Sequence, residues 1–120
     1  MVDIIIPAYN AHDTIRKTLF SICIQNIKDL INVYIIDDCS KEKYDYLLDE
    51  FRDLKLTIYR NKKNLGPGET RNKGLEISNS EYILFLDSDD LLFNPFSLSS
   101  LLYNIDDNDI AIGILEIGRA

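Results

Sequence analysis

Histidine, cysteine and tryptophan are scarce in this sequence, and the scarcity excludes several kinds of site. The 120 residues include one histidine, two cysteines and no tryptophan. A zinc site of histidine and cysteine ligands and a disulfide framework both need more of these residues than the chain holds. We expect His12 at the surface and Cys23 in the core, with no nucleophilic triad and a reducing environment.

Long apolar runs are also missing. The first run, residues 4–6, is too short for a signal peptide and has no basic region before it. No run approaches the roughly 18 apolar residues that cross a bilayer. We therefore expect no transmembrane segment and a cytoplasmic location, with the inner face of a membrane as the alternative.

Basic residues are too few for a surface that binds nucleic acid. The 13 lysine and arginine residues are outnumbered by 20 aspartate and glutamate residues, and the net charge is −7. Such a surface repels a phosphate backbone. A phosphorylated small ligand would need local help from a metal ion, a basic side chain or a helix N-terminus. The sequence contains neither the glycine fingerprint of NAD sites nor a P-loop, so neither site is predicted.

Apolar runs of strand length alternate with helical patterns along the chain. Strands are predicted at 2–6, 31–36, 54–59, 82–86 and 110–117, with Pro7 ending the first. Helices are predicted at 13–25 with Asp13 as N-cap, from 40 or 41 to 51, at 69–78, and from Pro95 to about 104. This alternation is typical of right-handed β-α-β crossovers. We expect one α/β domain over residues 1–120, with a Rossmann-like, mostly parallel sheet flanked by helices.

Polar side chains cluster where three of the predicted strands end. The clusters are residues 7–10, 37–40 and 87–90. Because ligands bind at the carboxyl ends of strands in open parallel sheets, we expect the clusters to form one site. Asp87, Asp89 and Asp90 repel one another unless a proton or cation lies among them. Their oxygens suit Mg²⁺ or Mn²⁺, although aspartate and serine are also common in solvated turns.

Other residues near these strand ends have two interpretations each. Asp38 either accepts hydrogen bonds from a ribose or a base, or caps the next helix. Tyr9 either stacks on a base or packs against the protein. The stretch 66–68, followed by Arg71 and Lys73, offers a close backbone approach, a helix N-terminus and two cations.

Together these segments resemble the N-terminal half of a family 2 glycosyltransferase with the GT-A fold. The matching segments, in the family's order and spacing, are residues 4–10, 34–40, 64–68, 71–74 and 82–90, with Pro95 after them. The resemblance implies that a sugar passes with inversion from a UDP-sugar, or another nucleotide-sugar, to a hydroxyl of a glycan or lipid-linked acceptor, in cell-surface polysaccharide or glycan synthesis. One departure is Cys39, where the family often has glycine or asparagine.

The resemblance also implies roles for residues that bind the nucleotide-sugar. Pro7, Ala8 and Tyr9 would line the nucleotide pocket, with Tyr9 against the base. Asp38 would hydrogen-bond the base, usually uracil. Arg71 would lie near the diphosphate or the base.

Asp87-Ser88-Asp89 matches the family's Asp-x-Asp motif. In that motif Asp89 would bind Mn²⁺ or Mg²⁺, while Asp87 and Asp90 would contact the ribose or support the metal shell. Ser88 would lie beside the nucleotide-sugar with Asp87. A metal ion there would stabilise the negative charge that grows on the departing nucleoside diphosphate.

The family's second half, which binds the acceptor and supplies the catalytic base, has no counterpart in residues 1–120. We therefore expect no catalytic base in this chain, weak binding of a nucleotide–metal complex and inefficient sugar transfer. The alternative is a donor-binding or interaction domain that docks to another chain. The apolar run at 110–117 would then favour self-association through an uncovered edge.

One other enzyme class has a similar motif. Phosphatases of the haloacid dehalogenase type place Asp-x-Asp after an apolar run, which would make Asp87 a nucleophile and Asp89 an acid–base. The lysine and acidic motifs that these enzymes need downstream have almost no room after residue 90. Formation of an aspartyl-phosphate on Asp87 would distinguish this class.

Overall fold

The computed structural model describes residues 1–103 and the backbone of residues 117–119. In this part of the chain the strands are β1 (Val2–Ala8), β2 (Ile31–Asp37), β3 (Lys55–Arg60), β4 (Tyr82–Phe85), β5 (Asp90–Leu92) and β6 (Ile117–Arg119). The helices are α1 (Ile15–Cys23), α2 (Tyr46–Glu50), α3 (Pro67–Ile77) and α4 (Ser97–Tyr103), with a 3-10 turn at Lys28–Leu30. Within these residues no helix combines the length and the apolar character needed to cross a membrane.

The main sheet is parallel throughout, in the order β3-β2-β1-β4. The chain runs from β1 outward to β2 and β3, then returns to the other side of β1 with β4. The strand order therefore reverses between β1 and β4, and in sheets of this kind ligands bind outside the carboxyl ends at that point. β5 pairs antiparallel with β6 in a small second sheet. A mostly parallel sheet flanked by helices confirms the predicted fold class.

β1 is buried on both faces because helices cover both sides of the sheet. Its even-numbered residues, from Val2 to Ala8, join α1 in the main core, since alternate residues of a strand share a face. Ile5 faces α3 at Gly74, where a Cβ atom would collide with the Ile5 side chain. Glycine at position 74 therefore allows α3 to lie close to the sheet.

Asp3 is a buried carboxylate at the amino end of the sheet. Its oxygens accept hydrogen bonds from the Asn32 side chain and from the hydroxyl and backbone N–H of Ser80, and a further bond comes from the Asn79 N–H. Burial raises the pKa of Asp3, but the hydrogen bonds outweigh it and hold the pKa below its ordinary value. Asp3 therefore ties the turn before β4 to β1 and β2.

The prediction that Pro7 ends β1 is wrong, because the strand continues to Ala8. Alternate residues of a strand direct their backbone groups to the same side, so Ile5 and Pro7 both face β4. The carbonyl of Ile5 accepts the N–H of Leu86 on that side. β4 ends at Phe85. The N–H that proline lacks would therefore have pointed past the end of β4, so the ladder loses no bond there.

Helices α1 and α2 both begin later than predicted. Thr14, not Asp13, is the N-cap residue of α1. α2 begins at Tyr46 rather than at 40 or 41. The Ser40 and Tyr44 hydroxyls are hydrogen-bonded to each other at 3.1 Å, which holds the intervening residues in a loop.

The end of the described chain differs from the prediction in two ways. β5 was not predicted, because its three residues begin inside the acidic cluster, at Asp90, and are too few to show alternation. α4 begins at Ser97, and Pro95 lies in the turn before it. The predicted strand at 110–117 lies outside the described residues, except that Ile117 begins β6.

Candidate functional site

A groove of about 570 Å³ lies at the carboxyl edge of the main sheet, where the strand order reverses. Its lining comes from the ends of β1, β2 and β4 and from the start of α3. The lining residues are 7–11, 14, 38, 64, 66, 67, 70, 71 and 87–89. Pockets of roughly 300–1,000 Å³ are usual for small-molecule ligands, so the groove can hold one.

All but one of the predicted site residues line this groove. They are Pro7, Ala8, Tyr9, Asp38, Arg71, Asp87, Ser88 and Asp89. The remaining one, Asp90, begins β5 and is 3% exposed. The three polar clusters that follow the strands therefore meet at one edge of the sheet, as the parallel topology implied. Their individual roles stay predictions.

Three carboxylates converge beside the end of β4. Asp87, Asp89 and Asp90 each offer one oxygen, and these oxygens lie within 4.8 Å of one another. Asp87 and Asp89 are exposed, whereas Asp90 is buried. Like charges at this spacing favour a bound cation. Hard oxygen ligands fit Mg²⁺ or Mn²⁺, which keep further positions for water or phosphate oxygens.

The electrostatic balance of the groove is negative. Arg71 is the one basic side chain among the described lining residues, and its guanidinium lies 3.5 Å from the carboxylate of Asp87. Both side chains are about half exposed, so the pair contributes little to stability. Asp38 and Asp89 add further negative charge to the lining. A diphosphate would therefore be repelled here unless a divalent cation accompanied it.

Asp38 is buried, and its carboxylate is largely occupied by the protein itself. Its Oδ1 atom accepts hydrogen bonds from the Asn61 amide at 2.9 Å and the Leu65 N–H at 2.7 Å. Its Oδ2 atom accepts the Gly66 N–H at 2.9 Å. A carboxylate has about four acceptor positions, which leaves about one for a ligand. The helix-capping alternative is wrong, since α2 begins only at Tyr46.

These hydrogen bonds also set the charge state of Asp38. Burial raises the pKa of the carboxyl group. The hydrogen bonds from the Leu65 N–H, the Asn61 amide and the Gly66 N–H act in the other direction and outweigh burial, so the pKa lies below its ordinary value. Asp38 therefore stays ionised in the folded protein and orders the loop before α3.

The loop before α3 turns at Gly66, whose φ of +91° favours glycine. The buried Thr70 hydroxyl donates to the Gly66 carbonyl at 2.7 Å and accepts from the Asn61 amide at 3.2 Å. α3 therefore begins at the groove. Lys73, predicted as a second cation, does not line the groove; it pairs with Glu76 at 3.3 Å.

Tyr9 and Asn10 form the β1 side of the groove. The Tyr9 side chain is 55% exposed, so its ring is available to a planar ligand. Asn10 has a φ of +49°, and its side-chain oxygen accepts the Lys41 N–H at 2.8 Å. The Asn10 N–H donates to the Ser40 hydroxyl at 2.9 Å. These two bonds hold the loops after β1 and β2 together.

His12, predicted at the surface, is half-buried and makes specific contacts. Its ring stacks on Tyr44 with centroids 4.1 Å apart. One ring nitrogen is hydrogen-bonded to the Tyr46 hydroxyl at 2.6 Å and the other to the Glu42 carbonyl at 3.0 Å. His12 thus joins the loop after β1 to the segment around the start of α2. All three partners are distant in sequence, so no local pattern indicates them.

Thr14, Asn64 and Thr70 line the groove but are not among the predicted site residues. Thr14 immediately precedes α1, and Thr70 lies in the first turns of α3. Hydroxyl side chains at the starts of helices that follow strand ends are the signal that could have found both. Asn64 precedes the Gly66 turn, within a loop that the sequence marks clearly.

The structure is thus a Rossmann-like domain with a groove and an acidic cluster at the edge where the strand order reverses. The family model described as Glycosyl transferase family 2 matches residues 3–119. The chain belongs to this family. Membership leaves the phosphatase alternative without support.

Relatives with curated descriptions are similar over most of this chain. An uncharacterized glycosyltransferase of Haemophilus influenzae is 35% identical over 108 residues, which cover 90% of this chain and 35% of the relative. The Escherichia coli protein WfaP, described as a UDP-Glc:alpha-D-GlcNAc-diphosphoundecaprenol beta-1,3-glucosyltransferase, is 38% identical over 90 residues. That match covers 75% of this chain and 36% of WfaP. The chain thus spans about a third of the length of these relatives.

A solved structure shares the fold. The crystal structure of S. aureus TarS 1-349 in complex with UDP-GlcNAc superposes with a TM-score of 0.78 at 31% identity. The match covers 85% of this chain and 30% of that chain. The fold is therefore that of the GT-A glycosyltransferases.

Proposed function

We propose that this domain is the donor-binding part of an enzyme that transfers a sugar, with inversion, from a UDP-sugar to an acceptor hydroxyl. The observation that carries the proposal is the three-carboxylate cluster beside a groove that also holds exposed Tyr9 and Arg71. A uridine nucleotide is supported by the UDP-Glc donor in the description of WfaP and by the UDP-GlcNAc bound to TarS. The lipid-linked glycan in the WfaP description supports an acceptor used in cell-surface polysaccharide synthesis.

In this proposal, different lining residues contact different parts of the nucleotide-sugar donor. Tyr9 stacks on the base, and the remaining acceptor position of Asp38 takes a base N–H. Arg71 and the start of α3 face the diphosphate.

The carboxylate cluster supplies the cation site in the same proposal. Asp87, Asp89 and Asp90 would hold Mn²⁺ or Mg²⁺, and their hard oxygen donors fit either ion. When bound, such an ion stabilises the negative charge on the leaving nucleoside diphosphate. Asp89 is the most direct candidate ligand because it is exposed and lines the groove, whereas Asp87, which is also exposed there, pairs with Arg71 at 3.5 Å. Asp90 is buried at the start of β5 and does not line the groove, so its carboxylate would contact the ion from the protein side of the cluster.

The base that deprotonates the acceptor is proposed to lie outside the described residues. A second candidate function is a donor-binding domain completed by another chain. A transfer assay with the purified chain, UDP-glucose and a lipid-linked GlcNAc diphosphate acceptor tests the second candidate. Turnover by the chain alone would reject the second candidate.

Calorimetric titration of UDP into the chain, with and without Mn²⁺, tests the donor site. We expect binding that depends on Mn²⁺ and that weakens at least about tenfold in Asp89→Ala, because one metal ligand is lost. Asp49→Ala is the matched control, since its carboxylate is 87% exposed on α2 and lies outside the groove lining. Equal binding with and without Mn²⁺, or equal losses in both variants, would contradict the proposal.

A further inference from the structure

A stripe of polar side chains runs along α1, and the proposed donor contacts make no use of most of it. Thr14, Thr18, Ser21 and Gln25 recur at helical spacing, from the N-cap to just beyond the helix. The last three are buried. Burying a polar group costs folding free energy unless the group is hydrogen-bonded, so the hydrogen-bond partners of this stripe indicate which segments it holds in place.

The near end of the stripe holds the backbone of the acidic cluster. The Thr14 hydroxyl lies 2.9 Å from the carbonyl oxygen of Ser88. The Thr18 hydroxyl lies 2.9 Å from the same oxygen and 2.7 Å from the carbonyl oxygen of Asp90. These two carbonyls flank Asp89 on either side.

The far end of the stripe holds the chain that leads into α4. The Ser21 hydroxyl accepts the Leu92 N–H at 3.0 Å. The Gln25 amide donates to the Asn94 carbonyl at 2.8 Å, and its oxygen accepts the Leu98 N–H at 3.2 Å. The far end therefore also bonds to backbone groups, but to those of residues 92, 94 and 98 rather than to the backbone of the acidic cluster.

The acidic cluster needs such a support because the main sheet does not reach it. β4 ends at Phe85, and the last bond to β1 is from the Leu86 N–H to the Ile5 carbonyl. Residues 87–89 are thus held by contacts other than the parallel ladder. Metal ligands must stay within about 0.5 Å of their working positions to retain affinity. The Thr18 hydroxyl, which lies beside the Ser88 and Asp90 carbonyl oxygens, can hold the backbone on both sides of Asp89 within such a distance.

We propose that Thr18 is a positioning residue that sets the spacing of the carboxylates of Asp87, Asp89 and Asp90, and through it their affinity for a divalent cation. The inference deepens the proposed function and rests on it. Its hydroxyl acts through the backbone and touches no ligand. The side chain is fully buried, so a bound nucleotide cannot reach it directly.

Titration of Mn²⁺ alone into the 120-residue chain, followed by electron paramagnetic resonance, tests the inference. We expect Thr18→Val to weaken Mn²⁺ binding about tenfold, as is usual for the loss of a support to a metal ligand. Thr18→Ser should restore binding, because it keeps the hydroxyl. Gln25→Met is the matched control: it removes buried hydrogen bonds of the same stripe and should leave Mn²⁺ affinity unchanged.

Amide hydrogen exchange supplies a readout that requires no ligand. Exchange at residues 87–90 should be faster in Thr18→Val than in the parent chain, and unchanged in Gln25→Met. Parent-like Mn²⁺ affinity in Thr18→Val, or equal losses in Gln25→Met, would overturn the inference. If Thr18→Val does not fold, Thr14→Val removes the second donor to the Ser88 carbonyl and carries the same expectations.

The two proposals fail in different ways. Absence of Mn²⁺ binding by the parent chain would count against the proposed function. Hydrogen exchange would then still decide the positioning role, since faster exchange at 87–90 in Thr18→Val alone supports it and a uniform change in both variants overturns it.

Discussion

The Oδ2 atom of Asp38 accepts the backbone N–H of Gly66 at 2.9 Å, and this bond joins the end of β2 to the loop from which α3 begins. Two more donors, the Leu65 N–H and the Asn61 amide, meet the other oxygen of the same carboxylate. One wall of the groove therefore depends on a buried negative charge, whether or not a ligand is bound.

Asp38→Asn should lower the free energy of unfolding by about 2 kcal/mol, because an amide has one acceptor oxygen for three donors. Urea denaturation without ligand measures the change. Asp13→Asn, at an exposed position before α1, is the control. An unchanged unfolding free energy in Asp38→Asn would mean that the carboxylate acts only on a ligand.

Gly74→Ala should destabilise the fold by about 1–3 kcal/mol, since the new methyl group would overlap the buried Ile5 side chain. Gly68→Ala is the matched control in the same helix. A Cβ at position 68 meets no atom within 4 Å, so this variant should be as stable as the parent or slightly more so. Thermal unfolding of both variants measures the difference, and equal stability of the two would refute the close packing of α3.

Tyr9→Ala should weaken Mn²⁺-dependent UDP binding about tenfold, because stacking of an aromatic ring on a base contributes about 1–3 kcal/mol. Tyr9→Phe should bind like the parent, since the ring remains. The side chain is largely exposed, so neither change should lower the melting temperature. Calorimetry separates the outcomes: a loss in Tyr9→Phe equal to that in Tyr9→Ala would assign the contact to the hydroxyl.

Lowering the pH should destabilise the protein through Asp3 and Asp38. The pKa values of Asp3 and Asp38 are lower in the folded protein than their ordinary value of about 3.9. As the pH falls below about 4, the two carboxylates take up protons in the unfolded chain before they do so in the folded protein. The stability that they contribute at higher pH is therefore lost as the pH falls through their folded-state pKa values. Urea midpoints measured from neutral pH to about pH 3 should fall in the parent and fall less in Asp3→Asn. Parallel curves would contradict the assignment.

Cys39→Asn should stabilise the protein by up to about 1 kcal/mol, because Cys39 has a φ of +60° and asparagine tolerates this conformation better. Little is lost with the sulfur, which lies 3.8 Å from the Lys62 carbonyl and 3.9 Å from the Arg60 guanidinium. Cys39→Ala is the control, since it removes the sulfur and keeps the unfavourable backbone. Chemical denaturation should rank asparagine above alanine, and the reverse order would remove the backbone explanation.

Much of the site could be predicted because its residues follow buried strands directly. The parallel order brings the strand ends together, and Tyr9, Asp38 and Asp87 line one groove as a result. The prediction fails where a side chain's partner is distant in sequence. His12 stacks on Tyr44, and neither residue carries a local sign of the other.

The amino-acid sequence by itself determined the parallel α/β fold, the acidic cluster after the fourth strand and the family to which the chain belongs. These features depend on the order of apolar and polar residues along a few neighbouring positions, and this order is given directly by the sequence. The tertiary structure alone decided which polar groups are already occupied. Asp38 uses most of its acceptor positions on the loop before α3, and the single hydroxyl hydrogen of Thr18 lies between the Ser88 and Asp90 carbonyl oxygens. Such bonds join residues far apart in the chain, so they exist only once the sheet and helices have packed together.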